Sequence, residues 1–509
     1  MNDKHFDERV LAAEQLVLDG DVSGASTIFR HLREVTDDPV RRANLINGEA
    51  VAVASGGDTV QAYRMLLEAG ALDSTNPHVT RNLETIQDVA SGDTSVRVAV
   101  LSLLFNWPST GGGTIHTAET IRFLAQAGFE VRHFVARYAP WNVGTVSGGT
   151  RDECEVLSFR DDEWNLMSIQ RRFRQAVDKF QPDYCIITDS WNFKPHLADA
   201  VSHYPYFIRL AAQECVCPLN NVRLLNDEAG KFVSCQNHQF LSDEQCRSCV
   251  TKNSSLSGAL HHNDRMLSGF GDERYSEILR RAFQNAQGIL AVNPIIAELV
   301  EPYCRTVHVV PSGFDPSRFE FTETDDRWTA ESPRPFRVFF AGLIQEPMKG
   351  FRVLEDALLH LRGKGRRIEC HATGGPAGPQ TETVTFTGWL SQDELPGHIR
   401  KADVLAFPTV AEEALGRSAV EAMACSRPVV ASRIGGLQWT VVENETGLLF
   451  EPGNSMDLAR KLEVLMDSPE LLESMGHAGR KRFESHFTWE TVINDFYRPE
   501  LTIPVRAQP

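Results

Sequence analysis

Residues 402–436, ADVLAFPTVAEEALGRSAVEAMACSRPVVASRIGG, decide how the rest of the chain is read. Val404 to Phe407 is a short apolar run with the pattern of a buried strand. Pro408 to Gly416 reads as a loop, Ser418 to Ala424 as a helix, and Pro428 to Ser432 as a second buried strand. Glu413 and Glu421 frame loop and helix with seven residues between them. A strand, a glycine-containing loop and a helix form the repeating unit of a parallel sheet. Ligands of open α/β sheets bind beyond the carboxyl ends of such strands. The fold class expected from this stretch is therefore α/β, with a ligand grip in the loop.

Composition sets the surroundings. A chain of 509 residues, 42% hydrophobic and 23% charged, is long and apolar enough for two to four domains with their own cores. A formal charge of −17 argues against a nucleic-acid partner, which would require clustered basic residues. The N-terminus, MNDKHFDERV, lacks the apolar centre of a signal peptide, and no apolar run reaches the roughly 18 residues of a membrane span. A cytoplasmic location is expected, with at most peripheral membrane contact. The ten cysteines are then expected as thiols or metal ligands rather than disulfides.

Residues 1–90 carry almost no strand signal. GDVSGASTIFRHLREVTDDP and GDTVQAYRMLLEAGALDSTNP resemble each other, with Asp21 and Asp58, and Ala25 and Ala62, both 37 residues apart. Each copy reads as an amphipathic helix closed by a proline. The period resembles that of tetratricopeptide hairpins, which would offer a groove to a protein partner. A generic helical cap is the simpler alternative. Ser91 to Ser95, SGDTS, reads as the linker that follows.

A first α/β domain is expected over 96–320. The run VRVAVLSLL, from Val96, is a central strand, followed by Gly111-Gly112-Gly113, a helix carrying His116 and Glu119, and a strand in AGFEVRHFVA. The loop is not GxGxxG, so no dinucleotide is specified. Its glycines either let backbone amides approach a phosphate or sugar, or simply turn the chain. PDYCIITDS is a further strand ending in Asp189 and Ser190, and Glu214 follows the next one. A Cys-rich insertion occupies about 215–250. There Cys217, Cys235, Cys246 and Cys249, the last two a CxxC pair, fit a structural zinc site, with Cys215 and His238 as substitutes. A loop of free thiols is the alternative.

A second α/β domain is expected over 334–485, with a crossover helix and tail over 486–509. RVFFAG is its first strand. Lys349-Gly350 then precedes a helix, where a cation is poorly placed for the helix dipole, which favours a ligand role. A lysine beside a diphosphate gains about 4 kcal/mol at an effective dielectric of about 20, before desolvation.

GGGTIHTAETIRFLAQAGFEV, VVPSGFDPSRF, MKGFRVLEDAL, VTFTGWLSQDELPGHIRKADVLAFPT and EALGRSAVEAMACSRPVVASRIGG together resemble the retaining glycosyltransferases of family four, the glycosyl transferases group 1. The likeness covers roughly residues 96–500. It implies a GT-B fold, two Rossmann-like domains facing a cleft, with the all-α module in front. It implies transfer of a hexose from a UDP- or GDP-sugar to a glycan, glycolipid or protein acceptor, as in polysaccharide biosynthesis. By position, Glu421 would bind the ribose and Glu413 the donor sugar. Lys349 and the amides around Leu415 and Gly416 would neutralise the diphosphate, Thr387 to Trp389 would flank the base, and Gly112 and Gly113 would approach from across the cleft. His116 or Asp189 would lie near the reacting sugar. No cofactor is implied for catalysis. Leu343 stands where family members carry a phosphate-binding arginine after the strand glycine, so Arg352 or Arg417 would have to supply that charge. Ser418-x-x-Glu421 is also a capping box, the structural alternative for Glu421. A sugar-nucleotide epimerase or hydrolase, or an inactive scaffold of this fold, are the other readings.

Overall fold

The computed structural model describes residues 3–18, 21–56, 58–91, 96–109, 111–147, 154–319, 328–329, 331–379 and 381–501. The linker expected at 91–95 lies outside them apart from Ser91. Backbone contacts divide the chain into two compact units. One comprises Met1–Val98, Leu124–Val131 and Ile493–Pro509, and the other Ala99–Phe123 and Arg132–Val492.

The first unit is mainly helical: α1 (Asp3–Leu18), α2 (Val22–Glu34), α3 (Pro39–Ser55), α4 (Thr59–Leu72) and α5 (Pro77–Ser91). The repeated Gly-Asp has a local cause. Asp21 caps α2 by accepting from the Gly24 amide, and Asp58 caps α4 by accepting from the Gln61 amide. Ala25 and Ala62, the small residues of the two copies, are fully buried where helices cross. The prolines act otherwise than expected: Pro39 and Pro77 do not end helices but open α3 and α5, where a missing N–H costs nothing. Arg64 on α4 pairs with Glu500 at 2.6 Å, tying the C-terminal segment to these helices.

The second unit holds two seven-stranded sheets. The first is built from β1 (Arg97–Ser102), β2 (Glu130–Arg137), β3 (Cys154–Ser158), β4 (Tyr184–Thr188) and β5 (Tyr206–Leu210). A separate hairpin, β6 (Leu224–Asn226) and β7 (Phe232–Ser234), interrupts it before β8 (Gly288–Ala291) and β9 (Val307–Val309) complete it. Its order is β3-β2-β1-β4-β5-β8-β9. The second contains β10 (Phe336–Phe340), β11 (Ile368–Thr373), β12 (Gly378–Pro379), β13 (Val384–Gly388), β14 (Val404–Phe407), β15 (Val429–Ser432) and β16 (Gly447–Phe450), in the order β12-β13-β11-β10-β14-β15-β16. Pairing is parallel at β10/β11, β10/β14, β14/β15 and β15/β16, and antiparallel only at the β12/β13 edge. Both faces of β14 and β15 are covered, so every residue in them is buried, which is why they read as unbroken apolar runs.

The Cys-rich insertion is more regular than expected. The β6/β7 hairpin is followed by a helix, Asp243–Lys252, that carries the CxxC. Ser242 caps it and Asp243 and Glu244 occupy its first turn, so the helix dipole is complemented. After the Pro469–His486 helix, the chain returns to the first sheet of the same unit. Trp489 stacks on His116 and Phe123, with ring centroids 5.4 and 5.2 Å apart, and its amide donates to the Phe314 carbonyl. No helix among the described residues is long and apolar enough to cross a membrane.

Candidate functional site

The loop between β14 and the Arg417–Ala424 helix is held on three sides. At its start, the Val410 amide and Thr409 hydroxyl both donate to the Met348 carbonyl, at 2.8 and 3.0 Å. Gly350 makes that approach possible: it adopts φ +72°, and a Cβ there would lie 1.8 Å from the Pro408 carbonyl oxygen. At its end, the Gly436 amide donates to the Glu413 carbonyl at 2.7 Å, and a Cβ on Gly436 would meet the Ala414 oxygen at 1.9 Å. The Thr440 hydroxyl donates to the Leu415 carbonyl at 2.7 Å. From the first sheet's side, the Asn293 amide group donates to the Ala414 carbonyl. The Glu413 and Leu415 backbones are thus positioned by contacts rather than by helix or strand.

This loop lines a cleft cavity of about 400 Å³. Gly112, Gly113, Lys349, Trp389, Glu413, Leu415, Gly416 and Glu421 all line it. Lys349 and Glu413 are in direct contact, Nζ to Oε1, at 2.5 Å. The carboxylate holds the Lys349 ammonium above its ordinary value, against the opposing effect of burial. Trp389 stands on the rim, 58% exposed, with its ring free to stack.

Glu421 is almost fully buried. The capping-box alternative does not hold: Gly416, at φ +73°, is the N-cap, without a side-chain capping bond, and Ser418 is already inside the helix. Burial raises the Glu421 carboxyl above its ordinary value, Arg417 and Arg318 oppose that, and Glu119 adds to it. Arg417 enters the same cavity. Its guanidinium lies 4.3 Å from the Phe314 ring centroid and 3.4 Å from Glu119, while its buried Nε and Nη1 have no hydrogen-bond partner. Two unsatisfied nitrogens on a buried guanidinium, with three N–H groups between them, suit an anion. The sequence offers Arg417 only as one of two substitutes for the residue replaced by Leu343. Its position next to Gly416 was the only signal.

The remaining predicted residues lie elsewhere. Thr387 donates to carbonyls of its own sheet, Gly388 at 3.0 Å and Ala372 at 3.4 Å, and does not line the cavity. His116 does not line it either. One position from Ile115, which does, the helix turns the imidazole under Trp489. Burial, then Arg209 and Arg417, hold it well below the usual histidine range, so it is neutral. Asp189 lies behind Gly113, its Oδ1 3.5 Å from where a Cβ on that glycine would stand. It adopts φ +33° and has its carboxyl pushed up to about 6, by burial first and then by Glu214. The fully buried Lys194 pairs with Glu214 at 3.5 Å beside it. Glu412, passed over in favour of Glu413, also faces the cleft. Gln213 donates to its carboxylate, and Arg223 approaches the same oxygen at 3.8 Å. The four cysteines Cys217, Cys235, Cys246 and Cys249 line a separate cavity in the insertion.

Residues 335–468 match the family model described as Glycosyl transferases group 1. The chain is 32% identical over 230 residues to the 2-deoxystreptamine glucosyltransferase of Streptomyces kanamyceticus, covering 41% of this chain and 58% of the relative. It is 32% identical over 231 residues to the D-inositol 3-phosphate glycosyltransferase of an Arthrobacter species, covering 41% and 54%. The chain thus spans little more than half the length of these relatives. Among solved structures, sucrose-phosphate synthase from Thermosynechococcus elongatus superposes with a TM-score of 0.54 at 19% identity, over 79% of this chain and 98% of that one. HepE of Anabaena, solved in complex with UDP-glucose, gives 0.52 at 16%, over 78% and 97%. The two sheets form a GT-B frame, and residues 335–468 within it match the model of the group 1 glycosyl transferases.

Proposed function

We propose that the protein is a retaining glycosyltransferase that moves a hexose from a UDP- or GDP-sugar to a glycan, glycolipid or protein acceptor. The observation that carries this reading is the single cavity wall on which Lys349, Glu413, Arg417 and Glu421 converge. Glu421 takes the ribose hydroxyls, Glu413 the hydroxyls of the donor sugar, and Trp389 the base. Lys349, Arg417 and the first amides of the Arg417–Ala424 helix take the diphosphate, with Gly112 and Gly113 approaching from the other sheet. Arg417 then supplies the charge that Leu343 lacks.

In the transfer step the bond from the anomeric carbon to the β-phosphate oxygen breaks, and its electron pair stays on that oxygen. Positive charge grows on the sugar and negative charge on the diphosphate. The cations and amides stabilise the leaving group without reorganising. The acceptor hydroxyl bonds to the anomeric carbon from the same face, and its proton passes to the departing phosphate oxygen. No protein nucleophile is required, and none is assigned. Asp189 and His116, behind the wall, support it rather than react. The helical module of residues 1–90, tetratricopeptide-like in its period, is assigned to a protein partner or acceptor.

UDP- and GDP-hexoses offered to the purified protein, first alone and then with glycan, glycolipid and peptide acceptors, test the reading. Nucleotide release that depends on an added acceptor supports transfer. Conversion of the donor alone identifies an epimerase or hydrolase, and binding of no nucleotide sugar at all removes the reading.

A further inference from the structure

Cys217, Cys235, Cys246 and Cys249 come from three separate segments: the turn after β5, the end of β7 and the Asp243–Lys252 helix. All four line one cavity of about 300 Å³, shared with Arg223, Asn237 and Asn253. None is in a disulfide. Three of the four sulfurs are offered N–H donors. The Asn237 amide N–H points to Cys235 Sγ at 3.4 Å, the Asn237 side chain donates to Cys246 Sγ at 3.3 Å, and the Asn253 side chain to Cys249 Sγ at 3.5 Å. Two of the four also give their own S–H to oxygens, Cys217 to the Asn220 side chain and Cys235 to the Asn237 carbonyl, each at 3.6 Å, contacts that an ion would replace. A neutral thiol is a weak acceptor, whereas a metal-bound thiolate is stabilised by such outer donors. Among the described residues, no three or more Cys, His, Asp or Glu side chains are already drawn close enough to hold a metal ion.

We propose that these four cysteines are the ligands of one zinc-class divalent cation, a structural site with four thiolates and no open position. Its role follows from what the ligands hold. The Cys217 amide donates to the Gln213 carbonyl at 2.9 Å, and the Cys235 amide donates to the Arg223 carbonyl at 2.7 Å. Gln213 and Arg223 are the two residues that reach Glu412 in the cleft. The cation therefore clamps the loop that braces the carboxylate next to Glu413. Four thiolates favour zinc over the harder cations, and a closed tetrahedral set holds structure rather than activating water.

The test uses the full-length protein, purified under reducing conditions, and its metal readout does not depend on the transfer reaction. Elemental analysis is expected to find about one zinc per chain. Cobalt exchanged into the site should give a thiolate-to-cobalt charge-transfer band. Titrating the thiols with a mercurial should release the zinc as about four thiols react. The Cys246→Ser, Cys249→Ser double variant should lose the metal and melt at lower temperature, while Cys154→Ser, outside the cluster, should keep it. If the double variant does not fold, the mercurial titration of the unaltered protein decides. The proposal is overturned by a wild-type protein that takes up no zinc on reconstitution, by four cysteines found as two disulfides, or by zinc that stays bound in the double variant.

Discussion

Replacing Glu421 separates ligand binding from helix capping, because the two roles predict opposite signs for stability. The carboxylate is nearly inaccessible and its ionised form is disfavoured by burial more than Arg417 and Arg318 favour it. A capping glutamate would stabilise the fold, but this one has no capping geometry. Glu421→Gln keeps the shape and removes the desolvated charge, so the variant should melt at the same or a higher temperature than wild type. Glu421→Ala removes the ligand contact altogether. A hydrogen bond to a charged group is worth about 1.5–3 kcal/mol, which is roughly a ten- to hundredfold weaker donor, with the glutamine variant between alanine and wild type. Calorimetric titration with UDP- and GDP-sugars measures the affinity, and thermal unfolding of the same samples measures the stability. Donor affinity unchanged within about twofold, together with a lower melting temperature for both variants, would refute the reasoning and return Glu421 to a structural role.

Lys349→Met removes the cation that pairs with Glu413 and, on the proposed diphosphate role, should weaken UDP itself about tenfold or more by titration. Equal UDP affinity in the variant would count against that assignment. Gly350→Ala places a methyl against the Pro408 carbonyl in a left-handed conformation and should cost about 2 kcal/mol or more in denaturant unfolding, with donor binding lost alongside. A variant of wild-type stability would show that the loop yields. Asp189 gives a pH signature. Its carboxyl titrates near 3.8 ordinarily and at about 6 when folded, so its contribution to stability is full below about pH 4 and is lost as pH rises through 6. That shift is worth roughly 3 kcal/mol. Asp189→Asn should match wild type at about pH 4 and gain on it up to about pH 7; a flat difference across that window would remove the buried carboxyl as its cause.

The strands of the second sheet were legible because both faces of a parallel sheet are buried, so Val404–Phe407 and Val429–Ser432 read as apolar runs with ends correct to about one residue. Glu413, Glu421, Lys349 and Gly416 come instead from the family resemblance, and the structure brings all four onto one cavity. What escaped was set by contacts between distant segments. Nothing local distinguishes His116 from Ile115, yet Trp489 covers one and leaves the other in the cleft wall. Ser418 looks like a cap until Gly416, pressed against Leu437, starts the helix before it. Arg417 is fixed in the cleft wall by Phe314 and Glu119, and Glu412 by Gln213 and Arg223 from the other sheet. Those cross-cleft residues are the ones the donor motif does not contain. On the proposed transfer reaction, an exchange at Gln213 or Arg223 should change which acceptor is used more than which donor is bound, and an altered donor affinity with unchanged acceptor use would count against that.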